Sequence, residues 1–72
     1  MNQLARSTWQ HDRHNMNGVQ LSKCLSGEYA VHWLTRCGQT VCGDYCRDFD
    51  LAHAEFVRRF LQANPHAHAG EQ

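Results

Sequence analysis

Apolar and polar positions separate into two clear patterns along the chain. Between residues 19 and 35 they alternate. A three-residue loop at Ser26-Gly27-Glu28 would put Val19, Leu21 and Leu25 on one face with Tyr29, Val31 and Trp33. Gln20, Ser22, Cys24 and His32 then fall on the other face, the period-two signature of a half-buried β-hairpin. A two-residue loop would instead mix the faces, setting Leu21 and Leu25 beside Glu28 and His32, so burial of one face argues for the longer turn.

From residue 48 the period changes. Phe49, Ala52, Phe56, Val57, Phe60 and Leu61 recur at spacings of three and four, which predicts one amphipathic helix over 48–63. Asp48 is placed to cap its first turn, and Asn64-Pro65 ends it, because proline lacks a backbone donor and turns its predecessor away from helical angles. Residues 1–18 are polar and end in the turn-like Asn15-Met16-Asn17-Gly18, so they are expected to form a flexible N-terminal arm. Residues 65–72 have nothing to bury and are expected to be a disordered tail. The predicted fold is a small α+β domain over 19–64: a β-hairpin packed on one C-terminal amphipathic helix.

Size makes that fold precarious. Of 72 residues 42% are hydrophobic, but Ala and the four Cys make up a large share of them. A chain of this length buries only about 60% of the surface it exposes when unfolded, so a staple is expected. The stretch Cys37-Gly-Gln-Thr-Val-Cys42-Gly-Asp-Tyr-Cys46 offers three thiols in ten residues, with glycines that let the backbone close on a centre. With His53 it gives Cys-x4-Cys-x3-Cys-x6-His, a donor set suited to one tetrahedral zinc. His14 and His32 are the alternative fourth ligands. Cys24, near the hairpin tip, lies too far along the strand from Cys37 for a disulfide. A competing arrangement starts the helix as early as Asp44. Cys46 and His53 would then lie about 10 Å apart on one stripe and could not share a metal, leaving the cysteines as small core side chains.

Charge narrows the partners. Seven Lys and Arg balance seven Asp and Glu, so nothing draws the whole molecule to phosphate backbones or anionic membranes. No apolar run approaches the ~18 residues of a membrane span, and no signal-peptide core follows a basic segment, which points to the cytoplasm. Neither a phosphate-cradling glycine loop nor an identifiable nucleophile with base and oxyanion donors is present, so no enzymatic activity is expected. The leading expectation is a non-enzymatic zinc-binding regulator or adaptor that docks on a protein partner through Trp9, Trp33, Arg58 and Arg59. The alternatives are a nucleic-acid-binding zinc module, using Arg36, Arg47, Arg58 and Arg59 against phosphates, and a thiol-based redox or metal sensor. Free strand edges would also permit a homodimer, which would enlarge a scant core.

Overall fold

The computed structural model describes residues 2–13 and 16–64, with the backbone alone at 11–13. Four strands and one helix follow in chain order: β1 (Asn2–Arg13), β2 (Met16–Lys23), β3 (Tyr29–Thr35), β4 (Thr40–Cys46) and α1 (Phe49–Ala63). The strands form one antiparallel sheet in the order β1-β2-β3-β4, each paired with its neighbour in sequence. The helix lies across one face. A shortest dimension of 15 Å fits one sheet layer and one helix layer.

The expected α+β class is observed, with twice the expected number of strands. Residues 2–13, expected as an arm, pair with β2, which places Ala5 and Trp9 on the helix side of the sheet. This strand escapes an alternation test because its apolar positions are few. Its register also shifts between Gln3 and Ala5 and between Thr8 and Arg13. The expected cysteine loop is β4, paired along β3 from Tyr29↔Cys46 to Leu34↔Thr40.

The hairpin of β2 and β3 keeps the predicted division of faces in a different register. Leu21 faces Val31 and Val19 faces Trp33, so the loop is Leu25-Ser26-Gly27 rather than Ser26-Gly27-Glu28. The cause is Gly27. Its φ of +93° supplies the left-handed residue that closes a three-residue loop, a conformation that costs glycine little. Leu25 consequently sits at the tip, 98% exposed, and not on the apolar face. The β3–β4 turn repeats the construction: Arg36-Cys37-Gly38 fills the loop, and Gly38 has φ +84°. Cys24 N donates to Glu28 O at 2.7 Å in the first turn, as Thr35 N donates to Gln39 O at 2.9 Å in the second.

The helix follows the sequence closely. Asp48 Oδ1 accepts from Asp50 N at 2.8 Å and from Leu51 N at 3.3 Å, capping two otherwise unpaired donors. Val19, Leu21, Val31 and Ala52 form the buried centre, with Trp9, Tyr29, Cys46, Phe56 and Phe60 packed around it. Trp9 meets Phe60 edge-on at 6.0 Å, and Tyr29 meets Phe49 in the same way at 5.3 Å. The opposite face of β2 and β3 carries no helix, yet Ser22 and Ala30 are fully buried there. Flanking side chains lie over that face: Arg6 Nη2 donates to Gln20 Oε1 at 2.8 Å, and Tyr45 reaches over His32.

Candidate functional site

The features that single out a site converge on β4, which has only one neighbour in the sheet. Opposite His32 the strand carries two residues, Cys42 and Gly43, where a regular ladder would have one. This bulge has consequences on both faces. Cys42 takes φ +54°, strained for a residue with a side chain, and its carbonyl turns toward the helix. Arg59 Nη1 donates to that carbonyl at 2.9 Å. The same guanidinium pairs with Glu55 Oε2 at 2.8 Å and with Asp44 Oδ2 at 2.5 Å, and stacks 5.3 Å from the centre of the Trp33 ring. Only 4% of Arg59 is exposed. A cation buried this deeply needs such a set of acceptors, and its planar fork suits three of them at once.

Glu55 is held as an anion by Arg59 and the neighbouring Arg58. Hydrogen bonds from Arg58 in the first place, and from Arg59, pull its carboxyl down to about 2. On the other face of the bulge the His32 ring lies directly over Gly43, where a Cβ would come within 2.7 Å of His32 Cδ2. Glycine is required there by space rather than by φ.

Between β4 and the first half of α1 runs a groove of about 320 Å³, lined by Val31, Asp44, Tyr45, Cys46, Leu51 and Glu55. Leu51 is more than half exposed on its helix wall, whereas the Tyr45 side chain lies over His32 on the other face of the sheet. The strand beside it, Thr40–Cys46, contains no Lys, Arg or Pro, and of the features that commonly guard a sheet edge it has the bulge and Asp44. The other edge, β1, carries Arg6 and is interrupted by two register shifts, against one in the β3–β4 pairing.

The residues expected to hold zinc are placed apart. Cys37 sits at the β3–β4 turn, Cys42 in the bulge and Cys46 at the far end of β4, about 20 Å of strand from Thr40 at ordinary rise. Cys46 Sγ donates to Asp48 O at 3.2 Å. His53 lies on the helix between the rings of Phe49 and Phe56. His32 faces Tyr45 and Gly43 on the side of the sheet away from the helix, and His14 lies outside the described residues. No three His, Cys, Asp or Glu side chains converge on a point a metal could occupy among the described residues. Among the described residues, then, the expected ligands are not assembled around one point. All four cysteines are free thiols, and Cys24 and Cys37 occupy turns at opposite ends of β3.

The expected docking residues are also redistributed. Trp9 and Trp33 pack within the domain, one against Phe60 and the other beneath Arg59. Arg58 is exposed but forked onto Glu55 at 2.6 Å and 2.8 Å. The helix period does place Arg59 inside, because Ala52, Phe56, Arg59 and Ala63 stand at i, i+4, i+7 and i+11 on one stripe. The groove wall at Leu51 leaves no such trace, since an isolated apolar residue on a surface is ordinary. No helix among the described residues is long and apolar enough to cross a membrane. Comparison of the chain with protein-family models, with curated proteins and with solved structures gives no match.

Proposed function

We propose that this chain is a non-enzymatic protein-binding module that accepts an extended segment of a partner along the free edge of β4. The observation that carries the proposal is the free edge of Thr40–Cys46, which lacks Lys, Arg and Pro, beside a groove. An added strand gains main-chain hydrogen bonds from the edge, while alternate side chains read the neighbouring surface. Here a side chain on the helix face of the added strand would lie beside Cys46, Leu51 and Glu55. The carbonyl of Cys42 is spent on Arg59, so the added strand would pair chiefly with the stretch beyond the bulge.

Support for the phosphate-binding alternative is weaker on the same geometry. Arg59 is enclosed by its partners, Arg58 is paired with Glu55 and Arg36 donates to the Gln10 carbonyl, so three of the four arginines it would use are already engaged. A reducing compartment such as the cytoplasm accords with four unpaired thiols.

The test is selection of peptides from a displayed random library, followed by amide shift mapping on the labelled protein. Selected peptides should move the signals of residues 43–46 and Leu51, and Leu51→Asp, a change at an exposed groove residue, should weaken their binding at least tenfold. Failure to select any binder, or shifts confined to β1, would overturn the proposal.

A further inference from the structure

We propose that His32 is a latch on β4 that holds only while its ring is neutral, so that protonation loosens the β3–β4 pairing and withdraws the docking edge. The withdrawal of a docking edge rests on the strand-addition function proposed above; the latch rests on geometry alone.

Only 7% of His32 is exposed. The ring sits over Gly43 and meets Tyr45 edge-on, with centroids 5.6 Å apart at 90°. Nε2 and the Tyr45 hydroxyl share a hydrogen bond of 3.4 Å, while Nδ1 is enclosed and has no partner among the described residues. A neutral imidazole tolerates this by leaving Nδ1 as a bare lone pair. An imidazolium cannot, because both ring nitrogens then carry protons and the second finds no acceptor.

Each element around the ring adds to that penalty. From β2, Gln20 stands across from His32, but its Oε1 accepts from Arg6 and its amide nitrogen donates to Ser22 Oγ at 3.0 Å. From β1 comes the Arg6 cation itself. From β4 come Tyr45 and, around the bulge, the Cys42 thiol and the Asp44 carboxylate, which is turned to the helix side by Arg59. From α1, beyond the sheet, come Arg59 and the Glu55 carboxylate already bound to Arg58 and Arg59. No carboxylate faces the ring from its own side among these groups. Burial, and then the Arg59 charge, hold the His32 pKa below its ordinary 6.5.

The sign follows from proton counting. Below about pH 6.5 the unfolded chain binds a proton at His32 that the folded chain refuses. Stability is therefore full above that pH, and it falls as the pH drops toward the folded-state value. The strain is applied at the bulge, where β4 has a neighbour on one side only.

Residue-resolved NMR on the intact chain tests this, since other histidines titrate as well. The His32 ring signal should titrate below 6.5. Between about pH 7.5 and 5, amide protection in Thr40–Cys46, corrected for intrinsic exchange, should fall tenfold or more while Val19–Ser22 changes less. In His32→Gln the protection of β4 should lose its pH dependence; if that variant does not fold, the wild-type titration and exchange decide alone. Titration of His32 at or above 6.5, or β4 protection unchanged after the ring has titrated, would overturn the latch. No peptide enters these measurements, so they stand or fall separately from strand addition. Affinity of a selected peptide, compared at the two pH values in the wild type and in His32→Gln, then tests the link between them.

Discussion

Replacing Gly43 by alanine isolates the contact on which the bulge depends. Gly43 is absent from the positive-φ positions, so its replacement introduces no backbone strain and tests space alone. The new methyl would lie within 2.7 Å of His32 Cδ2 and nearer still to Nε2, against a normal carbon contact of about 3.5–4.0 Å. The ring must move, and in moving it releases the Tyr45 hydroxyl. Overpacking of this kind costs about 1–3 kcal/mol, while the restricted unfolded chain returns roughly 0.5 kcal/mol. The expected net loss is therefore about 0.5–2.5 kcal/mol. In a domain of this size it lowers the melting midpoint by about 4–8 °C per kcal/mol. Urea denaturation should show a lower midpoint with an unchanged slope. A double-mutant cycle with His32→Ala sharpens the result: with the ring gone, Gly43→Ala should cost less than half its effect in the wild type. An equal cost in both backgrounds would show that the ring is not what excludes the methyl.

Three further outcomes follow from the same region. Arg59→Ala should cost about 2–4 kcal/mol by chemical denaturation, because it strands the Cys42 carbonyl and uncovers Trp33 as well as breaking two ion pairs. A loss under 0.5 kcal/mol would mean the buried guanidinium is not a structural anchor. Cys42→Gly should raise the thermal midpoint, by up to about 1 kcal/mol in stability, because it relieves the left-handed φ of +54°, whereas Cys42→Val should lower it. Treatment with a strong chelator should leave the melting curve where it was, since the described residues assemble no ligand set; a chelator-induced unfolding would restore the zinc staple.

How far the sequence disclosed this fold differs from element to element. The helix was legible to its cap, because Asp48, the apolar spacing and Asn64-Pro65 agree with one another. The central hairpin was legible in which residues share a face, since the side-chain period is two, but not in register. A slide of one loop position preserves both faces, and only the demand of Gly27 for positive φ distinguishes the two. β1 was obscured by shifts that break its alternation and by polar residues that face open solvent. β4 was obscured by chemistry: closely spaced cysteines and glycines suit a metal loop, and the same glycines serve a turn at Gly38 and a crowded ring contact at Gly43. The buried Arg59 lay open to a period argument, but its neighbour Arg58 made the pair look like a solvated cationic face.

The twin turns built on Gly27 and Gly38 also bear on how the chain reaches its native state. Every strand joins the one made just before it, and two identical tight loops set the spacing of the last three. Little loop entropy is lost before each pairing is rewarded, which favours rapid closure over slow searching. On the ribosome β1, β2 and β3 emerge before the helix that buries them, so for a short interval the nascent sheet offers Val19, Leu21 and Val31 uncovered. The arrival of α1 ends that interval, and truncation within the helix would prolong it.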